Sequence, residues 1–275
     1  MLLRFPMKDV TIKVTKHKSK VNLPLYTDEW NEINQNEFTL DVEDIGWFYA
    51  SAGNYIEVSP YGIFKKQALE LYLNSTLYAA ILHQRKILAL HGSCFNYQHN
   101  NIMICGDSGA GKSSFTVAFC LNGGTFITDD ISPVSFTSDK PYILSLSDTI
   151  KLWEDSLLQL NIKKEGLVKI LDDTDKFYFP VKKEATRTFL LSLLFVLEVN
   201  DKADVKFEEI KGVEKLNLLR SHIYRLEMLK GMPENELLIF HQLVDISNNV
   251  KIIRVKRPVD ISIKRLMNLL KTYIN

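Results

Sequence analysis

The octapeptide Gly106-Asp107-Ser108-Gly109-Ala110-Gly111-Lys112-Ser113 constrains this chain more than any other feature. It fits the full Gly-x-x-x-x-Gly-Lys-Ser phosphate-loop (Walker A) pattern. Its flanks also fit: the short apolar run Ile102-Met103-Ile104-Cys105 enters it as a strand, and a helix expected over 113–121 leaves it. Glycines let the backbone curl so that several N–H groups point inward at phosphate oxygens. The start of the helix adds the positive end of its dipole. Lys112 sets a cation against the terminal phosphates, and the Ser113 hydroxyl suits magnesium. The nucleotide-binding set is therefore Gly106, Asp107, Ser108, Gly109, Ala110, Gly111, Lys112, Ser113 and the adjoining Ser114.

Seventeen residues beyond Lys112, the expected strand Phe126-Ile127-Thr128 ends in Asp129-Asp130. Two carboxylates then stand at the carboxyl edge of a strand, where open α/β sheets bind ligands. One can hold magnesium and the other can take a proton from an attacking hydroxyl. Alone, the pair would read as a turn cap. Beside the loop, it reads as chemistry. His91 ends the preceding expected strand, 86–91. It either touches phosphate or orients a carboxylate, or it is an ordinary core or turn histidine.

The rest of the chain alternates strands and helices. Strands are expected at 10–14, 47–50 and 55–58, and later near 132–136, 142–146, 176–181, 189–198, 205–210 and 250–256. Residues 16–40 are polar and weakly patterned and read mostly as loop. Leu69, Leu73, Leu77 and Ile81 recur at i+4, so a helix is expected over 64–84. Further helices are expected near 154–160, 213–229, 234–247 and 259–273. The pattern implies a mixed α/β (α+β) fold: a small β-rich region over 1–62 and a phosphate-loop core with a central sheet over 63–275.

Composition narrows the function classes. A net charge of +1 gives no bulk field toward nucleic acid or a membrane, so neither is an expected partner. No stretch is apolar enough to span a bilayer, and the N-terminus lacks the features of a secretory signal. Cys94, Cys105 and Cys120 form neither a disulfide framework nor a zinc pattern, which suits a reducing, cytoplasmic setting.

Leu90-His91-Gly92-Ser93, the loop at 106–113 and Thr128-Asp129-Asp130 together resemble the HPr kinase/phosphorylase superfamily, whose nucleotide-binding core is shared with phosphoenolpyruvate carboxykinases. The resemblance implies ATP and magnesium as cofactors. It implies Asp129 as the base, Asp130 with Ser113 as the metal holders, and His91 as the family histidine before the loop. Ser114 departs from the family, whose HPr enzyme has glutamate there.

Lys151-Leu152-Trp153-Glu154-Asp155-Ser156 is similar to an element of HPr-kinase-like proteins encoded with peptide natural products. Asp175-Lys176-Phe177-Tyr178-Phe179-Pro180, Ser221-His222-Ile223-Tyr224-Arg225 and Val255-Lys256-Arg257-Pro258 also fit that group. The group phosphorylates the C-terminal serine of lasso peptide precursors. The implied function is a serine kinase of a peptide or protein, with Lys112, Asp129, His91 and Arg225 as catalytic residues. Lys151 and Lys176 are further candidates for neutralising a transferring phosphoryl group. Trp153 reads as a core residue rather than an adenine platform. Family members often assemble, so a homo-oligomer is compatible with the resemblance. A small-molecule kinase and a nucleotide-binding regulatory protein without transfer activity are the alternatives.

Overall fold

Alternation of apolar and polar residues over 37–60 builds an antiparallel meander in the computed structural model. The model describes residues 3–145, 149–171, 174–181, 188–201 and 204–274. The chain forms two compact units, residues 1–89 with 224–242, and residues 90–223 with 243–275. The division falls after Ala89, whereas the sequence led us to expect a boundary after residue 62. The reason is local: the helical segment after residue 62 packs on the meander that precedes it.

The first unit holds strands β1 (Thr11–Val14), β2 (Tyr26–Thr27), β3 (Glu32–Ile33), β4 (Glu37–Val42), β5 (Gly46–Ser51) and β6 (Tyr55–Pro60), in the order β1-β6-β5-β4-β3-β2. Its inward residues Phe38, Phe48, Ala50, Ile56 and Val58 are buried. Helices α1 (Lys66–Tyr72) and α2 (Tyr78–Gln84) cover the sheet, joined by a π-turn at Leu73–Leu77. Leu69, Leu73, Leu77 and Ile81 form the expected buried stripe. Within 16–40, read as loop, β2, β3 and the first part of β4 are strands. They are short and closed by local turns, such as Asp28 accepting from the backbone N–H groups of Trp30 and Asn31, so periodicity alone has little to register.

The second unit is built on a large mixed sheet. Its strands are β7 (Leu88–Tyr97, whose first two residues belong to the first unit), β8 (Asn100–Gly106), β9 (Thr125–Thr128), β10 (Ile131–Thr137), β11 (Lys140–Leu144), β15 (Thr188–Leu190), β16 (Leu193–Asn200), β17 (Lys206–Glu209) and β18 (Lys251–Pro258). A separate small sheet contains β12 (Thr149–Trp153), β13 (Val168–Lys169) and β14 (Lys176–Pro180). The large sheet runs β15-β11-β10-β7-β8-β16-β18-β17, with β9 also on β7. Strands β8, β16 and β18 are mutually parallel, so their carboxyl ends lie at one edge. Such strands are buried on both faces and read as continuous apolar runs, as 102–105 and 193–197 do. Position 146 of the strand expected over 142–146 lies outside the described residues.

Helix α3 (Lys112–Leu121) is packed on two sides. Phe115, Ala118 and Phe119 join a core with Ile104, Phe195, Val255 and, from α7 (Ile263–Ile274), Leu266 and Leu270. Val117 faces the small sheet through Ile150, Leu152, Phe177 and, from α4 (Glu154–Gln159), Leu157. Gly124 N–H bonds back to Phe119 O and closes the helix, as the Gly123-Gly124 pair leads one to expect. Helix α5 (Val213–Ser221) is shorter than the 213–229 expected. It stops because Ile223 bridges to Leu90 and Arg225 takes φ +55°, and a 3₁₀ turn follows at Leu226–Gly231. Helix α6 (Asn235–Asn249) begins in the first unit and ends in the second.

Candidate functional site

The loop between β8 and α3 is shaped by three glycines at positive φ: Gly106 (+144°), Gly109 (+83°) and Gly111 (+100°). At Gly106 the requirement is doubled, because a Cβ there would lie 2.6 Å from Leu197 O on the neighbouring strand. The loop is closed by Ala110 N–H donating to Asp107 O at 3.1 Å. Lys112 folds back over it, its ammonium donating to Gly106 O (2.8 Å) and Asp107 O (3.1 Å). Burial lowers the Lys112 pKa, opposed by the nearby Cys105, Asp130 and Asp129.

Arg257 holds the loop from behind. It is buried near the end of β18, and its guanidinium donates to Ala110 O through Nη2 (2.9 Å) and Nε (3.2 Å), and to Pro258 O at 2.8 Å. Burial lowers its pKa.

Strand pairing brings the acids to the loop. Cys94 on β7 pairs with Thr128 on β9, while Gly92 on β7 pairs with Cys105 on β8. Asp129 and Asp130 therefore follow the end of β9, while His91, expected to end its strand, lies within β7, which continues to Tyr97, and neighbours Gly92, the partner of Cys105. Asp130 sits at φ +70° in a three-residue turn closed by Ile131 N–H to Asp129 O. A non-glycine residue in that turn carries backbone strain, a feature that clusters at functional sites.

The two carboxylates differ. Asp129 is buried and accepts from Ser113 Oγ (2.8 Å) and from the Lys151 backbone N–H (3.2 Å). Burial, followed by the charge of Asp130, raises its pKa, outweighing these hydrogen bonds. Asp130 accepts from Lys151 Nζ at 2.9 Å, and its Oδ1 lies 3.5 Å from His91 Nε2. Burial pushes its pKa up, but Lys151 and then His91 pull harder, and the net direction is down. Two adjacent acids with pKa values driven apart fit the assignment of one proton acceptor and one permanent anion.

These groups share a cavity of about 200 Å³, lined also by Gly109, Gly111, Ser114 and Lys176. The Ser114 and Ser156 hydroxyls meet at 2.7 Å across its floor. Trp153, expected in the core, is instead 49% exposed and lines the cavity. The alternation of β12 explains this: Ile150 and Leu152 point toward α3, so Lys151 and Trp153 point outward.

Of the residues singled out from sequence, the structure brings together His91, Ser108, Gly109, Gly111, Lys112, Ser113, Ser114, Asp129, Asp130, Lys151 and Lys176. Ala110 is buried behind the loop. Arg225 lies in the other unit, where it donates to Thr76 Oγ1 (2.9 Å) and meets Glu227 (3.4 Å). From the same sequence element, His222 belongs to the loop's unit, its carbonyl accepting from His91 N–H at 2.7 Å. Burial, then the charge of Lys112, pushes the His222 pKa down to about 4, so the ring is neutral at physiological pH. Nothing in the sequence separates His222 from Arg225. Arg257 was also missed as a site residue.

Among the described residues, no cluster of three or more His, Cys, Asp or Glu side chains is arranged for a metal ion. What the site offers is hard oxygen: the Ser113 hydroxyl and the two carboxylates. That set fits magnesium, which takes most of its shell from water and phosphate and only one or two carboxylates from protein. Among the described residues, no helix is long and apolar enough to cross a membrane.

No protein-family model matches the chain, and no curated protein matches it at a significant level. Among solved structures, it is similar to one described as the structure of the Hpr(Ser) kinase/phosphatase from Coxiella burnetii. The similarity covers 67% of this chain and 95% of that one, at 9% identity and a TM-score of 0.34. A likeness this distant assigns neither activity nor substrate.

Proposed function

We propose that this chain is a kinase that transfers the γ-phosphoryl group of ATP to a hydroxyl. One observation carries the reading: a glycine loop closed under Lys112 opens into the same cavity as two acids of opposite pKa displacement. The loop N–H groups and Lys112 bind the β- and γ-phosphates. Ser113 and Asp130 would hold magnesium, which neutralises phosphate charge when bound. Ser113 already gives its proton to Asp129, so its lone pairs are left for a cation.

Asp129 takes the acceptor's proton as the acceptor oxygen bonds to phosphorus and the bond to the β-phosphate oxygen breaks, releasing ADP. Its raised pKa makes it a better proton acceptor than an ordinary carboxylate. His91 orients Asp130. The serine hydroxyl of a peptide or protein, such as a lasso-type precursor, is the acceptor we favour. That choice rests on the sequence resemblance at 151–156 and 175–180. Three free cysteines, Cys94 and Cys105 fully buried, fit a cytoplasmic setting.

The test is transfer from radiolabelled ATP with magnesium to serine-ending peptides and to a panel of sugars and amino acids. We expect labelled peptide from the wild type and none from Lys112→Ala or Asp129→Asn, the latter still binding nucleotide. Labelled metabolite alone would move the acceptor to small molecules. Nucleotide binding without any labelled product would refute the kinase reading, and full transfer by Asp129→Asn would refute the base.

A further inference from the structure

Among the described residues, three lysines line the cavity, and two of them have oxygen partners in place. Lys112 lies on the loop carbonyls, and Lys151 is bonded to Asp130. Lys176 is placed differently. It stands on β14 directly across from Trp153 on β12, and the register puts both on the outer face of the small sheet. Its ammonium lies 5.2 Å from the centre of the Trp153 ring. Among the described residues, no carboxylate forms an ion pair with it. Burial disfavours its charge, Asp130 supports it, and Lys151 opposes it.

The inner face of this small sheet is committed to α3 through Ile150, Leu152 and Phe177, so the strands fix the backbone of Lys176 and the face from which its side chain leaves. The indole supplies a flat, weakly attractive wall on one side of the ammonium. Asp130 and Asp129 support this charge from a distance, but among the described residues no carboxylate is in ion-pair contact with the ammonium, so a contact position is open to an arriving oxyanion in a partly desolvated cavity.

We propose that Lys176, backed by Trp153, forms a second oxyanion subsite in the cavity, apart from the phosphate loop. The ligand chemistry is a carboxylate or phosphate oxygen. It comes either from the phosphoryl group being transferred or from an acidic group carried by the acceptor. The identity of the neighbouring ligand rests on the kinase reading, whereas the subsite itself is measurable without transfer.

Inorganic phosphate titrated by calorimetry onto Lys112→Ala, whose loop site is crippled, reads the subsite alone. Phosphate should bind there and bind about tenfold more weakly when Lys176→Met is added, the worth of one charge-assisted hydrogen bond. Lys112→Ala with Lys176→Arg should retain it, which guards against misfolding. Equal binding with and without Lys176, or no phosphate binding to Lys112→Ala, overturns the proposal.

ADP and its β,γ-imido triphosphate counterpart, titrated onto wild type and Lys176→Met, distinguish the two sources. Selective loss of the triphosphate supports the phosphoryl group, and unchanged affinity for both supports an acid on the acceptor. Equal weakening of both nucleotides overturns a subsite apart from the loop. Failure of the wild type to bind either nucleotide refutes the kinase reading and leaves the phosphate comparison to decide the subsite.

Discussion

Replacing Arg257 with methionine tests how the loop is aimed. The peptide joining Ala110 to Gly111 is trans, so its C=O and N–H point in opposite directions. Arg257 pins the C=O, and the Gly111 N–H is thereby turned away from it; Gly111 itself lines the cavity. Arg257→Met removes two short charge-assisted bonds, 2.9 Å to Ala110 O and 2.8 Å to Pro258 O. At about 1.5–3 kcal/mol each the gross loss is about 3–6 kcal/mol. Relief from holding a buried cation returns part of this, leaving a net destabilisation of about 2–4 kcal/mol.

Urea unfolding reads that change, and calorimetry with ATP and magnesium reads the loop. Nucleotide affinity should fall about tenfold or more, for one misdirected N–H and one lost nearby charge. Arg257→Lys keeps the charge but not the two-pronged grip, and should recover part of the affinity and less of the stability. Unfolding within about 0.5 kcal/mol of wild type, together with unchanged affinity, would refute the role outright. Lost stability with unchanged affinity would reduce Arg257 to a packing residue.

Two further predictions use contrasts within the chain. Gly106→Ala forces a Cβ to 2.6 Å from Leu197 O at φ +144°, whereas Gly109→Ala meets nothing within 4 Å and bears only the strain of φ +83°. The first should abolish nucleotide binding or folding, and the second should cost about 1–2 kcal/mol in urea unfolding; equal effects would show that the loop does not pack on β16 as described. For His222, a folded pKa of about 4 below an ordinary 6.5 means that the unfolded chain binds the extra proton first as pH falls. Its contribution to stability is thus intact above pH 6.5 and lost progressively down to about pH 4, on the order of 3 kcal/mol. His222→Phe should flatten unfolding stability across that interval, and an unchanged pH slope would refute the buried neutral ring.

The parts of this site that were legible in the sequence are those whose residue types have few other uses. A Gly-x-x-x-x-Gly-Lys-Ser run after four apolar residues serves few purposes besides a tight loop between a buried strand and a helix. The Asp-Asp pair became readable only through its distance from that loop. The cations were much harder to place. Lys151, Lys176, Arg225 and Arg257 all look like surface residues in sequence, yet Lys151 and Lys176 line the cavity, Arg257 is buried behind the loop and Arg225 belongs to the other unit. Their fates are set by register. One residue's shift along β12 would turn Lys151 and Trp153 onto α3 and Leu152 onto the cavity. Arg257 alternates with the more exposed Lys256 on β18, and only pairing with β16, itself paired with β8, carries it behind Ala110. His222 and Arg225 are three residues apart, but the positive φ at Arg225 and the Leu90–Ile223 bridge send them to separate units. Spacing along the chain therefore locates the phosphate end of this cavity, while long-range strand pairing decides which charges face it. It follows that substitutions altering the register of β12 against β14 should disturb the outer-face lysines while leaving the loop's own glycines and Lys112 in place.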